Sequence, residues 1–449
     1  MNGPSEPGEP YKIKKTQIFA VAGNPVLHSM SPGMFNAAFK ACALDAVYIR
    51  IAASKAKEVI EITRDLAIAG VNITSPFKEE IVQFLDDLDD SAKKTGAANT
   101  VVLRNGRHWG YNTDIAGVTN AFLAGNVRLS GRKAAVIGAG GAAKAAVLAL
   151  LSEGAEVVVF NRTFEKARGF AEASGCKASA LELINEELEG VDILVQCLPV
   201  NARIVDPILL RKGLVVLDAT YSVETPLVKD AKKRGCRVIN GKEWLLFQGI
   251  QAFKHFTGIE PPLDVMRKML YKRRPVYKRN IALVGFMGAG KSTVASGISG
   301  KTGMPLVDID TEIAQKAGLS VEDIFKSKGE HVFRKMEEME IRDITNISGR
   351  VISCGGGVVL NGRNVTVLKR NCVVVWLWAN INTVLKRVDR NGGRPLLNRM
   401  PGKSGIKLIL KARLPLYARV SDLFVKTDGE EPGEIVRRIV GETYMFFKD

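Results

Sequence analysis

From Gln17 onward the hydrophobic pattern switches repeatedly between short apolar runs and amphipathic stretches. IFAVAG reads as a strand, NPVLHSMSP as a loop, GMFNAAFKAC as a helix and AVYIRI as a strand. A helix over 55–69, the strand VNIT, a helix over 78–94 and the strand NTVVL follow. Alternation of this kind predicts an α/β unit with a largely parallel sheet. A second β-α-β run opens at Arg132 with AAVIGAGGAAKAAVLALLSEGAEVVVFNRT and continues through DILVQCLP, LVVLDATY and CRVING. A helix from Lys242 to Thr257 and the segment PPLDVMRKML come next. A third α/β unit begins at Asn280 with IALVGFMGAGKST and runs to the end.

These patterns predict a disordered tail over 1–15, which holds Gly, Pro, Ser and Glu and nothing to bury. They predict a first domain over 16–115, completed by helices within 241–270, and a second over 116–240. Residues 271–279, YKRRPVYKR, read as a basic connector. Residues 280–449 form the third unit. At about 150 residues per domain, a 449-residue chain is expected to hold roughly three folded units.

Composition narrows the class. Hydrophobic residues at 46% and charged residues at 25% are the balance of a soluble globular protein. Runs such as Val373 to Ala379 are too short to span a bilayer. The segment MNGPSEPGEP lacks the apolar core of a signal peptide, so a cytoplasmic chain without a membrane role is expected. Six cysteines without CxxC spacing and four scattered histidines speak against zinc sites and a disulfide framework. The net charge of +17 suits nucleic acid, an acidic membrane surface or anionic small molecules. Its densest run lies in the connector and the remainder is dispersed, which speaks against nucleic acid.

Two glycine-rich loops carry the chemistry. Val136-Ile137 ends a strand, Gly138-Ala139-Gly140-Gly141-Ala142-Ala143 forms the loop, and an Ala-rich helix follows. In this G-x-G-x-x-A pattern the glycines permit a tight turn and close backbone approach. The helix N-terminus then offers free N–H groups to a pyrophosphate. A plain strand-to-helix turn would use the same glycines, so the next strand decides. It ends at Asn161-Arg162-Thr163, with Lys166 one turn on, where NAD enzymes carry an acidic residue for the ribose 2′-hydroxyl. A guanidinium matches a 2′-phosphate, which predicts NADP rather than NAD. The bland alternative makes Arg162 a solvated strand-end charge.

The other loop is Gly285-Phe286-Met287-Gly288-Ala289-Gly290-Lys291-Ser292, a complete G-x-x-x-x-G-K-[ST] after the strand IALV. Its backbone N–H groups cradle phosphates, Lys291 reaches the outer phosphates and the Ser292 hydroxyl coordinates Mg2+. Thr293 completes this ATP site.

Residues 17–115 supply polar groups between apolar strands. Ser29 and Ser31 can hold a carboxylate, but they serve equally as an N-cap and a turn. Lys78 and Asp114, each taken alone, are compatible with solvated charges. Together, however, NPVLHSMSP, VNITSPFK, GAANTVV, NTDIAG, GAGGAAKA, NRT and DATYSVETP closely resemble shikimate dehydrogenase over roughly residues 17–270. The resemblance implies reduction of 3-dehydroshikimate to shikimate with NADPH. It implies that Ser29 and Ser31 hold the substrate carboxylate, that Thr74, Asn99, Asp114 and Gln248 bind ring hydroxyls, and that Tyr221 lines the site. Lys78 and Asp114 would be the catalytic pair, since a ketone receiving hydride needs a proton from a positioned acid. The stretch Gln196-Cys197-Leu198-Pro199-Val200-Asn201 departs from the family's N-A-T-P-x-G and lacks its Thr and Gly near the nicotinamide.

The phosphate-loop unit carries further marks: Asp308 and Asp310 in LVDIDTEI, Arg334 in GEHVFRKMEE, the glycines of SCGGGVV, Arg394 in GGRPLL and Arg413 in RLPLY. Their order resembles shikimate kinase over 280–449. By that resemblance Asp308 supports Mg2+, and Asp310 binds the acceptor hydroxyls and takes the proton. Arg334 and Arg413 clamp the carboxylate, where planar bidentate forks suit the task. Gly356 and Gly357 bring backbone near the ring, Arg394 reaches the transferring phosphoryl group from a lid, and Arg390 stacks near adenine. The two resemblances imply an α/β fusion: a two-domain dehydrogenase unit with a Rossmann NADP domain, then a P-loop kinase domain with a parallel sheet. It would be a bifunctional enzyme acting on small molecules, in which the first reaction makes the second one's substrate. A quinate-oxidising variant and a regulator that senses quinate or shikimate are the alternatives.

Overall fold

The computed structural model describes residues 16–198, 203–272, 278–389 and 403–444. The expected tail over 1–15 lies outside the described residues. Two compact units divide the chain. One is Ala20–Leu44 with Ser54–Arg273; the other is Arg274–Asp449 with Asp45–Ala53 and the residues before Ala20. The strands of the N-terminal half are β1 (Gln17–Gly23), β2 (Ala46–Ala52), β3 (Gly70–Ile73), β4 (Asp87–Leu88), β5 (Thr100–Arg104) and β6 (Arg107–Tyr111). After them come β7 (Lys133–Ile137), β8 (Glu156–Asn161), β9 (Lys177–Ala180), β10 (Ile193–Gln196), β11 (Val215–Asp218) and β12 (Arg237–Ile239).

β7 to β12 form a six-stranded sheet in the order β12-β11-β10-β7-β8-β9, parallel throughout. Its central strands β7, β10 and β11 are buried on both faces, as near-continuous apolar runs require. Along β7, Ala134 and Val136 enter one core cluster while Ala135 and Ile137 enter the other, which is the period of two of an extended chain. The order reverses beside β7, and the crevice beyond the strands' carboxyl ends at that point is where such sheets bind ligands.

Over residues 70–111 the parallel expectation fails. β3 runs antiparallel to β5, and β5 to β6. Asn105 and Gly106, at φ 51° and 77°, make the two-residue turn that joins antiparallel neighbours. The single helix expected over 78–94 is also absent. A 3-10 turn (Glu80–Phe84), β4 and a short helix (Asp90–Thr95) take its place. Asp86, Asp87, Asp89 and Asp90 explain the break, since aspartate favours caps and turns over helix interiors. The Asp89 carboxylate accepts from the Ala92 N–H at 3.0 Å, and that of Asp86 from the His108 N–H at 2.7 Å.

In the second unit β13 (Asn280–Val284), β14 (Leu306–Asp308), β15 (Val351–Ser353), β16 (Cys372–Trp378) and β17 (Leu423–Lys426) lie in the order β14-β15-β13-β16-β17, all parallel. β13 is central, and every residue in it is buried. Among the described residues no helix is long and apolar enough to cross a membrane.

Candidate functional site

Lys78 follows β3, and Asp114 opens the helix Asp114–Ala124. Lys78 Nζ donates to Asp114 Oδ2 at 2.5 Å, with the carboxylate side chain 7% exposed and the lysine 20%. The backbone N–H of Asp114 donates to Asn112 Oδ1 at 3.1 Å, which fixes the first turn of the helix. A second donor reaches Asp114: Trp244 Nε1, 3.1 Å from Oδ1. An ammonium held against an ordered carboxylate can release a proton toward the cleft and be re-oriented by its partner.

Around this pair the N-terminal polar residues sort into groups. Asn99 Oδ1 accepts from the Thr113 N–H at 2.8 Å and from Thr100 Oγ1 at 3.0 Å, while its amide donates to Gln248 Oε1 at 3.5 Å. Asn99 and Gln248 are thus brought together. Ser29 and Ser31 meet at the start of the helix Ser31–Ala41, where the Ser31 N–H donates to Ser29 Oγ at 3.3 Å; both residues are buried. Thr74 packs against Gly23, where a Cβ would stand 2.4 Å from Thr74 Cγ2. Tyr221 is half-buried in the loop behind β11.

The glycine-rich loop comes next to Lys78. Gly138 has φ +118°, a conformation only glycine adopts readily, and its N–H donates to Phe160 O at 2.8 Å. That bond ties the loop to the end of β8, directly before Asn161 and Arg162. The helix Gly141–Ser152 has Gly140 as its N-cap and no side-chain cap, so its first N–H groups are available to a ligand. A Cβ on Gly141 would lie 3.2 Å from Ala97 Cβ and 3.5 Å from Lys78 Cβ. Arg162, Thr163 and Lys166 are exposed, and Asn161 donates to Thr163 O at 2.9 Å. An uncapped helix end with small residues and a cationic strand end fit NADP.

The departing stretch is described through Leu198. Gln196 Nε2 donates to the buried carboxylate of Asp218 at 2.9 Å, which also accepts from Thr225 Oγ1 at 2.6 Å. This ties β10 to the loop that carries Tyr221. Cys197 stands beside Gly138, and burial pushes its thiol well up, with the negative charges of Asp218 and Asp114 adding to the effect.

In the second unit one cavity of about 700 Å3 gathers most of the remaining expected residues. Gly288, Gly290, Lys291, Ser292, Thr293, Asp308, Asp310, Arg334, Gly356, Gly357 and Arg413 line it. Gly285 and Ala289 are buried. Gly285 has φ +151°, and a Cβ there would meet Leu377 O at 2.4 Å. Lys291 Nζ donates to Gly285 O and Phe286 O, each at 3.0 Å, and so curls over its own loop. Arg413 and the Tyr417 hydroxyl both donate to Gly356 O, at 3.1 and 2.6 Å. Arg334 donates to both oxygens of Glu337 at 3.0 Å. Glu337 is fully buried, and burial raises its carboxyl despite the pull of Arg334. A hydroxyl (Ser292) and a carboxylate (Asp308) lining the same cavity as Lys291 fit a hard cation bound together with phosphate oxygens. Arg390 and Arg394 lie outside the described residues.

Several residues escaped the sequence reading. Arg387 donates to Gly288 O at 3.0 Å and to Thr427 O at 3.2 Å, which places a guanidinium against the phosphate loop. Glu337, three residues after Arg334, was accessible from helical spacing; Trp244 and Arg387 carried no local signal.

Comparison with known proteins adds to this geometry. The family described as "Shikimate dehydrogenase substrate binding domain" matches residues 21–101, "Shikimate / quinate 5-dehydrogenase" matches 122–214, and "Shikimate kinase" matches 287–443. A shikimate dehydrogenase (NADP(+)) of Dehalococcoides mccartyi is 40% identical over 269 residues, taking in 56% of this chain and 94% of that protein. The crystal structure of shikimate dehydrogenase from Aquifex aeolicus gives a TM-score of 0.55 at 36% identity, covering 58% of this chain and 99% of that one. The Thermus thermophilus enzyme, in complex with NADP(H) and shikimate, gives 0.52 at 35%, covering 57% and 98%.

Proposed function

The chain belongs to the shikimate dehydrogenase family and carries a shikimate kinase domain toward its C-terminus, and on that premise we propose that it reduces 3-dehydroshikimate to shikimate and then phosphorylates shikimate at its 3-hydroxyl. It is a bifunctional enzyme of the shikimate pathway that uses NADP and ATP. The observation that carries the finer reading is the coexistence of two sites on one chain: a partly buried Lys–Asp pair beside a dinucleotide loop, and a phosphate-loop cavity lined by Arg334, Arg387 and Arg413.

In the first reaction Ser29 and Ser31 hold the substrate carboxylate, while Thr74, Asn99 and Gln248 take the ring hydroxyls and Tyr221 closes one side. Gly138, Gly140, Gly141 and Ala142 hold the pyrophosphate, and Asn161, Arg162, Thr163 and Lys166 hold the 2′-phosphate end. NADPH, when bound, supplies the hydride. Lys78 then gives its proton to the oxygen that becomes the new hydroxyl, and Asp114 steadies the ammonium before and after.

In the second reaction Arg334 and Arg413 clamp the carboxylate of shikimate. Asp310 takes the proton of the attacking hydroxyl. Lys291 and the loop N–H groups face the transferring phosphoryl group, and Ser292 with Asp308 would hold Mg2+. Arg387, set against Gly288, lies where it can brace the nucleotide; Arg394 and Arg390 keep the roles implied by resemblance.

The test is a coupled assay. NADPH oxidation with 3-dehydroshikimate should yield shikimate, and adding MgATP should convert it to the 3-phosphate by mass. Oxidation of quinate with no reduction of 3-dehydroshikimate would replace the substrate assignment, and binding of either acid without turnover would favour a sensor.

A further inference from the structure

Trp244 lies on the helix Gly241–Thr257, one turn before Gln248. Both side chains project from one face, as residues four apart do. Gln248 reaches Asn99, while the indole N–H of Trp244 reaches Asp114 Oδ1 at 3.1 Å. Trp244 and Asp114 are 4% and 5% exposed, so this bond forms away from bulk water. The other carboxylate oxygen receives Lys78.

A notch in the facing helix makes the contact possible. A Cβ on Gly117 would stand 2.9 Å from Trp244 Cδ1 and 2.9 Å from Gln248 Cβ. Gly117 sits three residues after Asp114, so the helix that carries the carboxylate also carries the gap through which its donor arrives.

From these contacts we propose that Trp244 is a positioning residue for the reduction: it holds Asp114 by one oxygen so that the other stays aimed at the Lys78 ammonium. The proposal rests on the reductase reading given above. An indole N–H donates only and does not titrate, so it can orient the carboxylate without competing for the proton. The terminal torsion of an aspartate is broad, and without this donor the carboxylate can turn and share its oxygens with Lys78 in more than one way. The proton donor then loses its fixed direction, which costs rate rather than binding.

The experiment compares the full chain with Trp244→Phe, which keeps an aromatic ring but loses the donor, and Trp244→His, which keeps a ring N–H. Steady-state NADPH oxidation with 3-dehydroshikimate gives kcat and KM, and NADPH fluorescence titration gives cofactor affinity. Trp244→Phe should lower kcat about tenfold, the effect of losing one bond to a charged group, with both KM values and NADPH affinity within about twofold. Trp244→His should recover part of the lost kcat. A kcat within about twofold of the unaltered chain in Trp244→Phe would overturn the proposal. So would a similar loss of kcat and NADPH affinity with a rise in both KM values in the two variants alike, which marks a purely structural role. Absence of turnover by the unaltered chain would instead remove the reductase reading and the proposal with it.

Discussion

Lys78 Nζ stands 2.5 Å from Asp114 Oδ2, across a sequence separation of 36. That contact sets the ammonium against a carboxylate, which is the arrangement the proposed proton transfer needs. Replacing Lys78 by Met or Asp114 by Asn should lower reduction of 3-dehydroshikimate by at least about a hundredfold, the usual scale of general acid catalysis. Phosphorylation of added shikimate by the same protein should be unchanged. Measuring both rates on one preparation checks this, and equal loss of both would contradict it.

The proposed cofactor choice draws on a different part of the chain. Arg162 is exposed at the end of β8, one step from Asn161 and close to the loop held by Gly138. Arg162→Asp should lower kcat/KM for NADPH by about tenfold to a hundredfold, as expected for losing a charge-assisted bond and adding repulsion. The value for NADH should stay level or rise. A parallel loss with both cofactors would mean that Arg162 does not read the 2′-phosphate.

In the kinase unit a glycine governs an arginine. A Cβ on Gly357 would stand 2.3 Å from Arg334 Nη2, while the backbone of Gly357 has φ −100°, open to any residue. Gly357→Ala should therefore fold normally and displace only the flexible guanidinium. The expected outcome is a rise in KM for shikimate in the direction of Arg334→Ala, by about tenfold, with KM for ATP unchanged. Steady-state kinetics with each substrate varied separately provides the check.

The buried carboxyl of Glu337 should make stability depend on pH. Burial is the main cause of its raised carboxyl, and Asp310 adds to it against the pull of Arg334. A carboxyl raised in the folded state favours folding below its ordinary value of 4.5, and that contribution is lost as pH rises through the folded value. The melting temperature of the kinase unit should thus fall as pH climbs from the ordinary carboxylate range toward neutrality. Glu337→Gln should flatten that slope. Melting curves across the range, for both proteins, would show whether the slope belongs to this residue.

The parts of both sites that were legible in the sequence are those whose geometry is local. A strand, a glycine loop and a helix N-terminus are contiguous, so Gly138 to Ala142 and Gly285 to Ser292 could be read directly. Lys78 and Asp114 needed the resemblance, because nothing in their own neighbourhoods distinguishes them from surface charges. Trp244 stayed hidden because its partner is 130 residues away and its value depends on a gap at Gly117. Residues 78–94 misled in the opposite sense: Ile81 and Leu85 have helical spacing, but the Asp86 and Asp89 carboxylates accept from backbone N–H groups outside a continuous helix. Asn105-Gly106 was a readable hairpin signal that the alternation of strands and helices outweighed.

The dinucleotide loop at Gly138 and the phosphate loop at Gly285 are borne by a single polypeptide. Each round of translation therefore delivers both in equal number, and a cell cannot correct an imbalance by making more of one than of the other. The ratio of the two fluxes is left to turnover numbers and metabolite levels. A mutation that slows only the second reaction would then appear as an accumulating intermediate at constant protein abundance.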